Sequence, residues 1–156
     1  MKKILLLAVS HGLFTLFGFA LGIYALPILT APAAPQSAQI NALMQEPRFQ
    51  GEFRRDLSGS DWLHWGEGKL LISENSIALQ GELAPGPDYR LYLSPEFVEN
   101  EAEFLALKDR MVQVGEVKTF ENFLLPLSQD IQPERYKAAV VWCETFGQFI
   151  SAATYR

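Results

Sequence analysis

A chain of 156 residues is long enough for one domain and an appendage. Its charge is unevenly spread: Lys2 and Lys3 are the only charges before Glu46, and the rest carries 11 basic against 18 acidic residues, a net of −7. So acidic a balance excludes nucleic acid as a partner class, because binding there is led by Lys and Arg neutralising phosphates, and it leaves no polybasic patch for anionic lipid.

From Ile4 to Leu29 there is no charged residue, and these 26 residues are enough to cross a bilayer core of about 30 Å at about 1.5 Å per residue. A secretory signal peptide has a shorter apolar core of about 7–15 residues, and Ala31-Pro32-Ala33 is a poor cleavage site because of its crowding prolines. Residues 1–29 are therefore expected to be an uncleaved transmembrane signal anchor. With Lys2 and Lys3 held in the cytoplasm, the positive-inside rule sends the rest outward, as a single-pass inner-membrane protein with a periplasmic or other extracytoplasmic domain. His11 is near the N-terminal end of this helix and is expected to face the interface. Gly18 and Gly22 have the G-x-x-x-G spacing that lets membrane helices approach closely, and Tyr24 suits the outer interface.

Residues 30–47, with Pro32, Pro35 and Pro47 among Ala, Gln and Ser, read as a tether. Ile40, Leu43 and Met44 would form one helical turn, too short to stand alone.

Residues 48–156 read as short strands. Gly51 to Leu57 is the first expected strand. Gly68 to Ser73 and Ser76 to Leu83 form a hairpin about Glu74-Asn75. Pro85-Gly86-Pro87-Asp88 is a turn by composition. Tyr89 to Leu93 alternates as a strand should. Glu96 to Lys108, with Glu99, Glu101 and Glu103, is expected to be a surface excursion with a short helix near its end, and its carboxylates lack the ordered spacing of a calcium loop. Met111 to Val117 is a strand with a bulge at Gly115. Glu121-Asn122 is expected to turn before a strand from Phe123 to Leu127, and Gln148 to Tyr155 is the last strand. Short strands with Gly/Pro turns and almost no helix predict an all-β fold: a single antiparallel β-sandwich behind an N-terminal transmembrane helix.

The run from Tyr136 through Val140-Val141-Trp142-Cys143 to Phe146 reads as a central strand. Strand alternation puts Ala139, Val141 and Cys143 on one face and Ala138, Val140 and Trp142 on the other, both apolar. Cys143 is the only cysteine, so no intrachain disulfide forms, and with two histidines the chain has too few ligands for a closed Cys/His zinc site. The thiol is either a small core residue or the chemical point of the fold, and the residues alone leave both readings open.

Five pieces occur in order: His64-Trp65-Gly66-Glu67-Gly68, Gly86-Pro87-Asp88 with Tyr89-Arg90-Leu91-Tyr92-Leu93, Val114-Gly115-Glu116-Val117-Lys118, Phe123-Leu124-Leu125-Pro126, and Val141-Trp142-Cys143. This set resembles the DM-13 domain, a small electron-transfer module with bacterial versions behind a membrane anchor, over roughly Gly51 to Tyr155. The resemblance implies a β-sandwich and a redox role for Cys143, as a naked thiol or as ligand to a group such as haem. Related bacterial sequences often carry a basic residue after this cysteine. Glu144 stands there in this chain and opposes a cation-activated thiolate.

Cys143 is thus the candidate redox atom, with His64 as its possible partner or second axial ligand and Trp142 as a flat surface for a cofactor. Each has a plainer reading: a packed thiol, a loop histidine beside Trp62 and Trp65, and a core aromatic. A c-type attachment motif needs a second cysteine, so any haem would be non-covalent. Ser58, Ser60, Asp61 and His64 are close in sequence, but no strained nucleophile turn surrounds them to suggest a hydrolase. Two functions follow as expectations. One is an accessory electron-transfer module with an unidentified redox partner. The other is a non-enzymatic envelope module that binds a protein or glycan through Glu96–Glu103 or exposed aromatics.

Overall fold

The computed structural model describes Met1–Arg156. A long apolar helix α1 (Lys2–Thr30) leads into a short helix α2 (Ser37–Leu43) and then into eight strands. These are β1 (Phe49–Phe53), β2 (Gly66–Ile72), β3 (Ser76–Leu83), β4 (Tyr89–Ser94), β5 (Val112–Val117), β6 (Glu121–Pro126), β7 (Ala138–Cys143) and β8 (Gln148–Thr154), with helix α3 (Glu101–Leu107) between β4 and β5. The strands form two antiparallel four-stranded sheets, ordered β1-β2-β3-β6 and β5-β4-β7-β8, which face each other as a sandwich. The all-β sandwich expected from the strand pattern is the observed fold.

The main core lies between the sheets. Leu70 and Ile72 of β2, Ile77 and Leu79 of β3, Tyr89, Leu91 and Leu93 of β4, and Ala139, Val141 and Cys143 of β7 all point into it. The opposite faces are covered too. Outside the β4–β7 pair, Tyr92, Val140 and Trp142 pack with Phe104 of α3 and with Val98, Leu57 and Phe149. Outside the first sheet, Ile40 and Met44 of the α2 segment pack on Leu71 and Ala78. β7 is therefore buried on both faces along its length, as its doubly apolar pattern requires.

Several boundaries differ from expectation, each for a local reason. β7 stops at Cys143, and Glu144 to Gly147 turn, with Gly147 at φ +60°, a conformation that favours glycine. β1 lies earlier than expected: it ends at Phe53, and Leu57 leaves the strand path to pack in the outer cluster. Glu121 and Asn122 open β6 instead of turning before it. Asn122 holds φ 39°, which Asn tolerates, and its side-chain oxygen accepts the Gly81 N–H at 3.0 Å where the β3–β6 register shifts. The bulge expected at Gly115 is present, as the β4–β5 pairing skips a residue between Leu91 and Tyr92.

The segment that reads as a tether includes α2, which the domain supports. Ile40 is fully buried, Gln80 donates to the Asn41 side-chain oxygen at 2.6 Å, and the Asn122 amide donates to the Pro35 carbonyl at 3.0 Å. The two-turn helix persists because its apolar side has a sheet to rest on. α1 is long and apolar enough to cross a membrane, and none of its residues is buried in the fold.

Candidate functional site

β7 ends at one rim of the sandwich and delivers Cys143 there. Across the sheet Cys143 pairs with Tyr89 of β4 on one side and with Gln148 of β8 on the other. The following turn is tied down by Asp88. Its carbonyl accepts the Glu144 N–H at 3.0 Å, and its carboxylate accepts the Thr145 hydroxyl at 3.0 Å and pairs with Arg90 at 2.9 Å. The turn at Pro85-Gly86-Pro87 seats the Tyr89 ring. A Cβ on Gly86 would lie 2.4 Å from the Tyr89 hydroxyl oxygen, so only glycine lets the ring lie there.

His64 arrives from the loop before β2, and Asp61 organises that loop. One carboxylate oxygen accepts the backbone N–H groups of Leu63 and His64, both at 2.7 Å, and the other lies 3.0 Å from His64 Nδ1. Burial pushes the Asp61 carboxyl up, but the His64 and backbone hydrogen bonds outweigh it and hold the group below its ordinary value. The loop is also pinned to both sheets. Ala84 N–H donates to the Trp65 carbonyl at 2.9 Å, and the fully buried Ser151 hydroxyl donates to Gly66 at 3.1 Å and Arg54 at 3.2 Å. Neither Ser58 nor Ser60 hydrogen-bonds His64. Ser58 donates to the Glu99 carbonyl and the Ser60 hydroxyl has no partner, so no nucleophile–base pair forms.

Cys143 and His64 line one cavity of about 600 Å³, together with Tyr89, Pro85, Trp62, Phe146 and Ile150. Its fourth side is α1, through Ala20, Leu21, Ile23 and Tyr24. The volume and the mostly apolar walls suit a small-molecule site. Trp142 is not brought to it. That ring lies on the other face of β7, 1% exposed and stacked on Phe104 with centroids 4.0 Å apart and planes 11° apart.

Cys143 is 2% exposed, and burial raises its thiol above the free value. Backbone hydrogen bonds from Phe146, Asp88 and Thr145 oppose that rise without cancelling it, and the Asp88 charge adds to it. The sulfur is therefore a protonated thiol at neutral pH. Glu144 points to the opposite face, as alternation predicts. Its carboxylate accepts from Lys108 Nζ at 2.7 and 2.9 Å and from the Tyr92 hydroxyl.

The cavity lining tests the haem expectation. His64, with Nδ1 engaged by a carboxylate, has the support typical of a metal-binding imidazole. However, no Lys or Arg lines the cavity to meet a porphyrin's carboxylates, and no cluster of three or more His, Cys, Asp or Glu is placed to hold a metal. The lining does not fit haem. Two glutamates of the excursion have structural duties: Glu103 caps α3 reciprocally with Asn100 and the Glu99 N–H, and Glu96 pairs with Arg110 at 3.3 Å.

Sequence reasoning did not assign Tyr89, Phe146 and Pro85 to the site, nor the outer end of α1. The one usable signal was the Pro85–Asp88 turn, which feeds the strand next to Cys143.

The curated proteins and the solved structures gave no match to the chain. The family described as "Electron transfer DM13" matches residues 56–155, which hold every strand but β1 along with both Cys143 and His64. The chain therefore belongs to the DM13 electron-transfer family.

Proposed function

We propose that the chain is a membrane-anchored, extracytoplasmic electron-transfer module whose redox atom is the sulfur of Cys143, with His64 as its proton partner. The observation that carries this reading is that the only thiol and the only histidine outside α1, distant in sequence, line the same cavity. One-electron oxidation of the protonated thiol breaks its S–H bond and leaves a thiyl radical on Cys143, with the electron passed to the redox partner and the proton to His64. His64 offers the one basic nitrogen among the lining side chains, and Asp61 on Nδ1 directs Nε2 away from itself. The apolar length of α1 and the position of Lys2 and Lys3 support an anchor with the domain outside the cytoplasm. The electron partner is a separate redox protein or small molecule.

The test compares the full chain with Cys143→Ser and His64→Ala in a redox titration. The serine variant should keep its circular dichroism and lose reversible electron exchange. The alanine variant should keep exchange but lose its pH dependence. A serine variant that exchanges electrons like the parent would end this reading.

A second reading also has an observation in its favour. Cys143 belongs to the main core cluster, which fits a packed thiol in a module that binds a protein or glycan elsewhere. In that case Cys143→Ala would alter stability alone.

A further inference from the structure

The cavity that holds Cys143 and His64 takes one wall from α1, at Ala20 to Tyr24. If the apolar core begins at Ile4, about 20 residues at about 1.5 Å each span the bilayer's hydrocarbon and end close to Tyr24. That wall therefore lies at the outer boundary of the membrane, and the rim of the domain beside it is at the same depth. Its side chains suit that place: Trp62 is 82% exposed and Phe146 56% exposed. Aromatic residues stranded in water cost free energy, and at the headgroup boundary they are at home. The charges beside these rings are engaged within the fold: Asp61 by His64 and two backbone N–H groups, and Asp88 by Arg90 and the Thr145 hydroxyl.

We infer that this rim, through Trp62 and Phe146, lies in the outer membrane interface and that the cavity takes an uncharged, bilayer-dissolved ring compound of the quinol/quinone class. The inference rests on the proposed function and names the ligand class of the same site. No Asp, Glu, Lys or Arg lines the cavity, so a charged ligand would meet no counter-charge. Trp62, Tyr24, Tyr89 and Phe146 offer ring-sized apolar walls. Asp61 only accepts, so the His64 Nδ1 position carries a proton and Nε2, turned away from Asp61, is the ring atom left to meet a ligand hydroxyl. The Gln148 amide supplies a donor for a ring carbonyl. The domain's net negative charge is repelled by anionic lipid, so the test bilayer is zwitterionic.

The test uses the full chain in nanodiscs of phosphatidylcholine, with a decyl-substituted benzoquinol as probe. We expect saturable binding that His64→Ala weakens about tenfold, as losing a buried polar contact does. We also expect tryptophan emission quenched by brominated acyl chains, with the quenched fraction lost in Trp62→Phe. Absence of saturable binding, or a Trp62 quenched by aqueous iodide and not by brominated lipid, would overturn the inference. If Cys143 still exchanges electrons with a water-soluble couple under that outcome, the proposed function stands alone. If the quinol binds and titration with a separate one-electron oxidant leaves the Cys143 thiol unchanged, the ligand class stands and the proposed function falls.

Discussion

His64 Nδ1 lies 3.0 Å from Asp61 Oδ2, and this contact turns a loop histidine into an oriented one. The same carboxylate also holds the backbone that carries the ring. Asp61→Asn keeps an acceptor but removes the charge that selects the Nδ1–H tautomer. Nitrogen NMR of the ring should show one tautomer in the parent at neutral pH and a mixture in the variant. The sign with pH follows from the depressed Asp61 carboxyl. Its contribution is present above the unfolded carboxylate pKa and is lost as pH falls through the lower folded value.

Cys143 should resist alkylation. Burial raises its thiol, so the folded protein should react with iodoacetamide more slowly than the urea-unfolded chain, with its midpoint at higher pH. For a thiol raised on folding, stability is intact below the unfolded pKa and declines as pH rises through the unfolded value towards the folded one. A folded-state midpoint below the unfolded one would mean an activated thiolate and contradict the geometry.

Glu144 and Lys108 form a pair about a third exposed on the far side of β7 from the cavity. Burial pushes the Glu144 carboxyl up, but Lys108 and Tyr92 hold it below the ordinary value. Glu144→Gln should cost about 0.5–1 kcal/mol at neutral pH, since solvent screens the pair. The difference from the parent should vanish as pH falls through the folded carboxylate pKa. Urea unfolding at two pH values reads both.

Gly86→Ala should reshape the cavity. A methyl group there meets the Tyr89 ring at 2.4–2.5 Å. Displacing the ring should cost about 1–3 kcal/mol and speed alkylation of Cys143, because Tyr89 pairs with it across the sheet. An unchanged alkylation rate would separate Tyr89 from control of the site.

Phe104→Ala removes the ring stacked on Trp142 and should cost about 3–5 kcal/mol. The near-ultraviolet signal of Trp142 should weaken while Cys143 chemistry in the folded fraction is unchanged, because the two side chains occupy opposite faces of β7. A change in Cys143 chemistry would give Trp142 a part in the site.

The sandwich was legible in the sequence because strand alternation and turn residues act locally. Ala139, Val141 and Cys143 inward with Val140 and Trp142 outward needed only a period of two. Strand ends were less legible: nothing local says that Leu57 leaves β1 to pack beside Phe149, or that Glu144 follows Lys108 out of the strand. The site was half legible. Cysteine and histidine drew notice by rarity, but their meeting in one cavity depends on sheet order and on Ser151 holding the loop before β2. Trp142 adjoins Cys143 in sequence and was expected near a cofactor, yet strand geometry sends it to the other face. The wall from α1 is a tertiary fact with no sequence signal beyond the helix itself.

A coulometric redox titration of the full chain in nanodiscs, run beside Cys143→Ser, decides whether Cys143 is the redox atom. The parent should give up an electron and take it back reversibly, and a serine variant with the same fold should do neither. Equal exchange in both, or none in either, would contradict Cys143 as the redox atom.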